Sequence, residues 1–569
     1  MRNALARTLV EGLVFVLFSQ RNALFPLFQN PNSMTSLLPI EDILRKLSIP
    51  EKHVDRCSSY GVKLKLSLLT DPALEKRGKL ILVTATCPTK AGEGKTVTSV
   101  GLTQGLEKLG KRAIVTSREP SLGPVFGQKG GGAGGGRARV EPAEKINLHF
   151  HGDFHAITSA HNLLAAVIDA HIFHGNELHL DPDKITWPRA MDMNDRALRR
   201  IAVGGSKSTG PARATGFIIT AASEIMAIMG LAKDRADLRR RLDAIVVGLN
   251  RSGEPVRAAE FQITGSLMAL LNDAIMPNLV QTTEGSPAMV HIGPFGNIAH
   301  GTSSIISQTM GLKLADYVVN ECGFGSDLGA EKYFDLVMRY SGLIPSVAVL
   351  VTTVRSLKVQ GNESLLSGLP HLAKHVENLR GFGVPIVVGV NHFPDDTEVE
   401  LNTLKEYCAQ LDVPMAFVEA FTKGAAGATE LAAKVIEAAD SGSEKNVHAI
   451  YPLEAPLVDK INTIAQKIYG AADVTFTEAA QDKLQRLTDF GFGNLPICMA
   501  KTQYSFSDDP EKLGVPTGWT LHVTDVLLSA GAGFVVVVSG SMMLMPGLGK
   551  IQRGFDIDVD ADGNITGLA

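Results

Sequence analysis

Residues 79–117 read KLILVTATCPTKAGEGKTVTSVGLTQGLEKLGKRAIVTS. The opening run, KLILVTAT, is short, apolar and partly β-branched, which is typical of a buried strand. A glycine-rich turn follows, and KTVTSVGLTQGLEKLG then favours a helix, with Gly110 at a position where helices commonly end. The run RAIVTS predicts a second strand. A strand, a crossover helix and a strand form the unit of a parallel sheet, so this stretch predicts an α/β fold.

Three later runs extend the predicted sheet. They are DAIVVGLN near Ile245, SVAVLVTTV near Val349 and PIVVGVNHF near Val387. Each run is nearly continuous in apolar residues, as expected of strands that are covered on both faces. Helical stretches such as LAKHVENLRGFG lie between them. We therefore expect a P-loop NTPase-like parallel sheet flanked by helices, with two smaller α/β domains.

The turn between the first strand and its helix has the pattern of a phosphate-binding loop. Such a loop points backbone N–H groups at a nucleotide in front of a helix N-terminus. Its lysine reaches the β- and γ-phosphates, and the hydroxyl that follows binds Mg²⁺. The usual first glycine is replaced by Thr89, so a tight turn with an exposed lysine is the alternative. The predicted ATP-binding residues are Thr89, Lys90, Ala91, Gly92, Glu93, Gly94, Lys95 and Thr96, with Thr96 as the Mg²⁺ ligand.

Arg118 and Glu119 follow the second strand directly. The carboxyl edge of an open α/β sheet is where ligands bind, so both side chains are candidate substrate contacts. The planar guanidinium of Arg118 suits a carboxylate or an acyl phosphate. The alternative for the two residues is an ordinary surface ion pair.

Charge and cysteine usage exclude several classes of protein. The 569 residues carry a formal net charge of -4, so no overall basicity favours nucleic acid as a partner. The five cysteines are scattered without a CxxC pair, which predicts neither disulfides nor a zinc site and fits a reducing compartment. His151 and His155 are four residues apart, but no second ligand set accompanies them, so we interpret them as structural histidines.

The first 33 residues differ from the rest of the chain. They carry Arg2, Arg7 and Arg21 against a single acid, Glu11, and the apolar run LVFVLF is too short to span a membrane. An organellar transit peptide is one interpretation, and an extension upstream of Met34 is the other. No later segment indicates a membrane span. The chain is predicted to be cytoplasmic, with import into an organelle if the leader is real.

Seven further motifs carry a resemblance to a known family. They are REPSLGPVFG, GGAGGG, INLHFHGDFHAI, DMNDRALR, PFGNIAHG, ADYVVNECGFGSDLGAEKYFD and AKTQYSFSDDP. Together they resemble formate–tetrahydrofolate ligase, also called formyltetrahydrofolate synthetase, from about Leu38 to the C-terminus. The resemblance implies a carbon–nitrogen ligase that converts formate, tetrahydrofolate and ATP into 10-formyltetrahydrofolate, ADP and phosphate through formyl phosphate.

The resemblance also implies cofactors, assembly and domain limits. It implies Mg²⁺ with ATP, activation by a monovalent cation (K⁺ or NH₄⁺) and a homotetramer, with no nucleic acid or membrane partner. The expected domains are a large nucleotide-binding α/β domain at 34–375, a folate-side α/β domain at 376–475 and a C-terminal α/β domain at 476–569. Residues 1–33 are then an extension or leader outside the fold.

Roles for the site residues follow from the same resemblance. Lys95 and Mg²⁺ would hold the transferring phosphate, and Arg118, with Glu119 beside it, would bind formate and then formyl phosphate. The pterin would stack against Phe393 with Pro394 beside it, against Phe295, and against Phe421, which stands where the family has tryptophan. The alternative for each phenylalanine is core packing.

Several positions depart from the family pattern close to the predicted site. Arg137 replaces a tyrosine of the formyl phosphate pocket and is predicted to contact the substrate there, and Lys145 stands where an acid is usual. Ile218 replaces an aspartate, and Lys90 replaces a proline of the phosphate loop. The added positive charge leaves two alternatives to formate ligation. One is a ligase of the same fold that activates a different small acid, and the other is a catalytically silent nucleotide-binding paralogue.

Overall fold

A mixed sheet of twelve strands runs through the part of the chain that the structure describes. The structure is a computed structural model, which describes residues 37–75, 78–89, 92–127, 131–540 and 542–568, without the side chain of Ser443. The predictions for residues 1–33, for Lys90 and for Ala91 lie outside the described residues. Leu38–Ala569 form one compact unit.

Seven neighbouring strands among the described residues are parallel, in the order Pro287–Val290, Ala113–Ser117, Tyr317–Gly325, Lys79–Ala85, Pro345–Thr352, Ile386–Asn391 and Met415–Val418. The sheet continues antiparallel from Pro287–Val290 through Asn278–Thr282 and Val62–Leu64 to Val54–Arg56, while Gly134–Gly135 and Ala138–Glu141 pair beside Asn278–Thr282. The strand that opens the quoted stretch, Lys79–Ala85, thus lies inside the parallel part.

Apolar residues cover both faces of this sheet. Leu80 and Leu82 belong to one buried cluster, whereas Ile81 and Val83 belong to another, because successive side chains of a strand point to opposite faces. Helices pack on each face, among them Lys95–Lys108. The predicted α/β fold, with a largely parallel sheet flanked by helices, is confirmed.

The remaining elements surround this sheet. The helices are Ile40–Lys46, Lys95–Lys108, Leu122–Phe126, Ala143–Asn147, Asp153–Phe173, Glu224–Leu231, Arg235–Ala244, Thr264–Leu270, Ile305–Leu314, Met338–Ser341, Val354–Gln360, Leu365–Gly381, Glu398–Gln410, Ala420–Lys423, Thr429–Asp440, Leu457–Ile464 and Glu478–Asp489. The strands outside the main sheet are Leu180–Ile185, Arg189–Met191, Ile201–Val203, Arg213–Thr215, Phe217–Ile219, Val246–Asn250, Pro255–Arg257, Asp473–Phe476, Ile497–Ala500, Thr520–Ser529, Phe534–Ser539, Asp558–Val559 and Ile565–Thr566.

The predicted domain limits can be placed on this architecture. The strands Ile386–Asn391 and Met415–Val418 continue the main sheet, so the limit predicted after residue 375 falls between strands of one sheet. A separate four-stranded sheet has the order Asp473–Phe476, Thr520–Ser529, Phe534–Ser539 and Ile497–Ala500. It occupies much of the segment predicted as the C-terminal domain. The limits themselves stay a prediction.

One helix of the described residues, Asp153–Phe173, is long and apolar enough to cross a membrane by length and composition alone. Its residues Phe154, Ile157 and Leu164 lie in the larger buried cluster of the fold. The core helix of a soluble protein passes the same test, so this single helix is weak evidence for a membrane span.

The parallel strands bring their carboxyl ends to one edge of the sheet. The residues that end these strands include Ala85, Ser117, Gly325, Thr352 and Asn391. The segments that follow them therefore meet at this edge, as expected for the ligand-binding side of an open α/β sheet.

Candidate active site

The phosphate-binding loop is held in a tight turn. Gly92 and Gly94 have φ angles of 80° and 69°, a left-handed conformation that glycine adopts without steric cost. A Cβ atom on Gly94 would lie 2.2 Å from the side-chain amide nitrogen of Asn391, so this position has no room for a side chain. The helix Lys95–Lys108 begins directly after Gly94, and the Thr98 N–H donates to the Gly94 carbonyl at 2.8 Å.

Glu93 braces the loop from inside. Its side chain is buried, and its carboxylate accepts from the Thr89 N–H at 2.7 Å and from the Thr353 hydroxyl at 2.5 Å. The Asn391 amide donates to the Glu93 carbonyl at 3.2 Å. The structure therefore places the Glu93 side chain against protein partners rather than toward the mouth of the loop.

Lys95 lies at the first position of the helix, with its ammonium group aimed across the sheet edge. It donates to the Phe324 carbonyl at 3.3 Å and lies 3.6 Å from the Glu321 carboxylate. Burial lowers the pKa of Lys95, Glu321 opposes that shift, and the nearby Arg118 adds to it. Phe324 has a φ of 62°, an uncommon conformation for a bulky residue and one that often marks functional sites. Thr96, the predicted Mg²⁺ ligand, is half-buried in the same first turn.

Arg118 is the second cation of the site and, like Lys95, is partly buried. Its guanidinium donates to the Pro294 carbonyl at 2.9 Å, and burial lowers its pKa, with Glu321 again opposing the shift. A Cβ atom on Gly323 would lie 3.3 Å from both terminal guanidinium nitrogens, so glycine keeps the space beside them open. The structure therefore brings Lys95 and Arg118 into one region, with Glu321 close enough to both to oppose the lowering of each pKa.

Glu321 was not predicted as a site residue. It lies near the carboxyl end of the strand Tyr317–Gly325, which pairs with the strands that precede both the loop and Arg118. The available signal was a charged residue at the end of an apolar run. Sequence alone could not show which strands are its neighbours.

Glu119 points away from this cluster. Its N–H donates to the Ile292 carbonyl at 2.8 Å, and its buried carboxyl has a pKa raised well above its usual range by burial and then by Asp153. Asp153 is itself buried and pairs with Lys63 at 2.7 Å. The Glu119 side chain thus belongs to a separate buried polar group, and its predicted contact with substrate stays a prediction.

The two added cations near the predicted pocket lie on the surface. The Arg137 side chain is 63% exposed and lies 3.4 Å from Glu284. Lys145 is also exposed, 3.8 Å from Glu144, and Ile218 is buried in the core. The structure therefore does not bring the Arg137 guanidinium or the Lys145 ammonium to Lys95 and Arg118.

Arg137 lines a cavity of its own. The cavity measures about 520 Å³, and its lining includes Gln104, Glu284 and Lys423. Gln104 lies on the helix Lys95–Lys108, nine residues from Lys95 and so roughly 13 Å along the helix axis, at 1.5 Å per residue. The Arg137 N–H donates to the Phe421 carbonyl at 2.9 Å.

The predicted pterin-stacking residues occupy three different surroundings. Phe393 follows the strand Ile386–Asn391, with the Arg355 guanidinium 4.8 Å from its ring centre, and Pro394 beside it is exposed. Arg355 also donates to the Gly92 carbonyl at 2.8 Å, which ties this ring to the phosphate loop.

The other two rings contact different parts of the fold. Phe421 is 54% exposed and packs on Gly135 and Gly136. Phe295 is partly buried against the core, and its N–H donates to the Ala221 carbonyl at 3.0 Å. Within the described residues, no ring-to-ring contact joins Phe295, Phe393 and Phe421.

This arrangement has a defined chemical capacity. A helix N-terminus, an ammonium group and a guanidinium converge on one region, and each favours a bound anion. Burial strengthens such interactions because little water competes for the charges. The region therefore suits the juxtaposition of a phosphate with a small carboxylate.

Comparison with known proteins gives a consistent result over nearly the whole chain. The family model described as formate–tetrahydrofolate ligase matches residues 31–569. A formate–tetrahydrofolate ligase of Pseudothermotoga lettingae is 52% identical over 544 residues, which cover 94% of this chain and 98% of that protein. One of Methylobacterium nodulans is 51% identical over 546 residues, with the same two coverages.

Proposed function

The chain belongs to the formate–tetrahydrofolate ligase family, and we propose that it forms 10-formyltetrahydrofolate through formyl phosphate, with Lys95 and Arg118 as its catalytic residues. The overall reaction is the ATP-dependent ligation of formate to tetrahydrofolate. The observation that carries the residue assignment is the convergence of Lys95, Arg118 and Glu321 beside the phosphate loop.

The first step is phosphoryl transfer. A formate oxygen attacks the γ-phosphorus of ATP, the bond from that phosphorus to the bridging oxygen breaks, and ADP leaves. The protein contributes positioning and charge stabilisation, because the phosphoryl group itself needs little covalent help. Lys95 and the N–H groups at the helix N-terminus hold the terminal phosphates, while Arg118 holds the carboxylate in line with them.

Mg²⁺ fits the hydroxyl at the start of the helix. This ion usually keeps several waters and takes one or two protein oxygens together with phosphate oxygens. Thr96, half-buried beside Lys95, is the residue that would hold it. When bound, the ion supplies charge neutralisation on the phosphates.

The second step is acyl transfer. The N10 amine of tetrahydrofolate attacks the formyl carbon, phosphate leaves with the electron pair of the carbon–oxygen bond, and the amine releases its proton to solvent. Arg118 remains beside the departing phosphate and stabilises its charge. The small space around its guanidinium supports a small acid, since a Cβ on Gly323 would also lie 3.2 Å from the Gly296 Cα.

Tetrahydrofolate would stack on Phe393, with Pro394 beside it. The contact of Arg355 with both the Phe393 ring and the Gly92 carbonyl supports this choice, because it holds the ring beside the phosphate loop. Phe295 and Phe421 are proposed as further contacts, and each would need the ligand, or a movement of its own segment, to reach Phe393. We also propose that the protein is a cytoplasmic homotetramer activated by a monovalent cation. Only the family resemblance supports these points.

The test of this proposal is formate-dependent turnover of the purified chain. ADP release is followed with ATP and tetrahydrofolate, first with formate and then with a panel of small acids, and 10-formyltetrahydrofolate is measured by its acid-converted absorbance. We expect product with formate. Turnover with another acid alone would favour the first alternative, and ATP binding without turnover would favour the silent paralogue.

A further inference from the structure

A cluster of one cysteine and two histidines lies behind the phosphate loop. Cys87 follows the strand Lys79–Ala85 and precedes Thr89 by two residues, whereas His371 and His375 lie one turn apart on the helix Leu365–Gly381. All three side chains are fully buried, and their Sγ and imidazole nitrogen atoms lie within 4.8 Å of one another. Residues at i and i+4 of a helix share a face, so both rings point toward Cys87.

Hydrogen bonds assign the protons of both imidazoles. Nδ1 of His371 lies 3.0 Å from the Gly514 carbonyl oxygen, which can only accept, so Nδ1 carries the proton and Nε2 a lone pair. Nε2 of His375 accepts from the Cys87 N–H at 3.0 Å, so its proton is on Nδ1, which donates to the Ser326 hydroxyl at 2.7 Å.

The two Nε2 atoms therefore face each other as acceptors, 3.1 Å apart. The lone pair of His375 Nε2 is engaged by the Cys87 N–H, so within the described part of the chain the lone pair of His371 Nε2 is left without a donor. Neutral imidazoles with free nitrogens are the form in which histidine binds metal.

We propose that Cys87 Sγ, His371 Nε2 and His375 Nε2 bind a divalent cation of the zinc type. Zinc takes cysteine sulfur and histidine nitrogen in tetrahedral sites, with nitrogen at about 2.0–2.1 Å, so two such nitrogens lie roughly 3.3 Å apart. The observed separation is 3.1 Å. Asp327 lies beside these three ligands: its Oδ1 is 3.9 Å from Cys87 Sγ, and its Oδ2 accepts from Lys501 at 2.7 Å.

Binding has a definite proton balance. The thiolate is the metal-binding form of cysteine, so the incoming cation replaces the Cys87 thiol proton, which passes to solvent. The cation also replaces the Cys87 N–H at His375 Nε2. The Gly514 carbonyl and the Ser326 hydroxyl remain on the outer ring nitrogens, where such partners hold metal-binding histidines in orientation.

The site links two parts of the fold that meet at the phosphate loop. Cys87 belongs to the segment that enters the loop, and Ser326 follows Phe324, whose carbonyl accepts from Lys95. A bound cation would fix the helix Leu365–Gly381 to both segments. Because the three ligands are buried, the cation is expected to enter as the chain folds.

The proposal is tested by the zinc content of the purified protein, a measurement that does not require the protein to be active. The full chain is produced in zinc-supplemented medium and purified without chelator, and zinc per chain is measured by mass spectrometry. About one zinc per chain is expected in the unmodified protein and in Cys408→Ser, which alters another buried cysteine. Cys87→Ser and His371→Asn are expected to retain well below one zinc per chain, because losing a ligand should weaken binding by more than the roughly 10–100-fold cost of losing an outer partner.

Three results would overturn the proposal. One is no stoichiometric zinc in the unmodified protein, and another is zinc that survives Cys87→Ser. The third is zinc lost in Cys57→Ser and kept in Cys87→Ser, which would place the metal at the exposed Cys57, 3.5 Å from His151 Nε2. If the variants do not fold, the unmodified protein produced with cobalt gives the answer, because a thiolate-to-cobalt charge-transfer band is expected and its absence would contradict a cysteine ligand.

Discussion

The Thr353 hydroxyl donates to the Glu93 carboxylate at 2.5 Å, across 260 positions of sequence. The same carboxylate accepts from the Thr89 N–H, so one buried side chain closes the phosphate loop on itself and fastens it to the end of the strand Pro345–Thr352. Among the described residues of the loop, residue 89 and residues 92–96 are therefore held in place without a ligand. The conformational cost of nucleotide binding is correspondingly small.

Glu93→Gln should weaken ATP binding. The amide has one acceptor oxygen where the carboxylate has two, so either the Thr89 N–H or the Thr353 hydroxyl faces an NH₂ group. A buried donor left unpaired costs about 1–3 kcal/mol, so we expect the Kd for ATP to rise about tenfold or more. Equilibrium binding of ATP measures this directly.

The matched control for Glu93→Gln is Glu398→Gln, which alters an exposed carboxylate. It should leave the Kd for ATP within about twofold, since exposed substitutions away from specific contacts have small effects. Equal ATP affinity in Glu93→Gln and the unmodified chain would show that the loop does not depend on this brace.

Arg118→Lys should reduce kcat/KM for formate while ATP affinity is kept. Lysine retains the charge but not the planar fork that matches a carboxylate, and its shorter reach leaves the Pro294 carbonyl without its donor. Losing one well-placed donor to a developing anion typically costs about 100-fold or more. Steady-state kinetics with formate as the varied substrate provide the measurement.

Arg112→Lys serves as the control for that exchange. Arg112 is an exposed arginine that pairs with Asp316, so its conservative substitution should change kcat/KM for formate by less than about twofold. If Arg118→Lys behaved like Arg112→Lys, the assignment of the carboxylate to Arg118 would be wrong.

The strand, loop and helix of residues 79–117 could be predicted because each depends on local pattern. Apolar runs, glycine positions and the lysine–threonine pair are all read within one stretch of chain. Glu321 could not be predicted as a neighbour of Lys95, since their contact depends on which strands pair in the sheet. The same limit applies to Cys87, whose histidine partners lie 284 and 288 positions away.

Arg137 shows a second limit on what the local sequence can predict. Its place after the glycine run, where the family has a pocket tyrosine, predicted a cation in the pocket. In the fold the side chain lies against Glu284, and its backbone N–H donates to the Phe421 carbonyl. The direction of a side chain on a glycine-rich segment is set by tertiary contacts that the local sequence does not encode.

Glu224 should make the folded state less stable as the pH rises. Its carboxyl is partly buried and accepts from the Gly531 and Ala532 N–H groups, and desolvation raises its pKa from 4.5 to about 7. The folded state therefore binds this proton more tightly than the unfolded state. Protonation of Glu224 therefore adds roughly 3 kcal/mol to the free energy of unfolding. This contribution is fully present below pH 4.5 and is lost as the pH rises from 4.5 to 7.

Glu224→Gln isolates this effect, because glutamine mimics the protonated acid and keeps an acceptor oxygen. The variant should match the unmodified chain in thermal stability at pH 4.5 and exceed it by several degrees at pH 8. Glu478→Gln, at an exposed position, should follow the unmodified chain at both values. A variant that is no more stable than the unmodified chain at pH 8 would mean that Glu224 is already satisfied as an anion.

Arg137→Tyr restores the residue type that the family pattern has at this position. We expect kcat and the KM for formate to change by less than about threefold, because the guanidinium is 63% exposed and its contact with Glu284 is a surface ion pair worth about 0–1 kcal/mol. Initial rates over a range of formate concentrations measure both constants.

The control is Glu284→Gln, which removes the same ion pair without placing a phenol at residue 137. Its kcat and its KM for formate should also change by less than about threefold. A change of tenfold or more in Arg137→Tyr alone would mean that residue 137 reaches the reacting acid during turnover, and the substrate contact predicted for Arg137 would then be the better account of it.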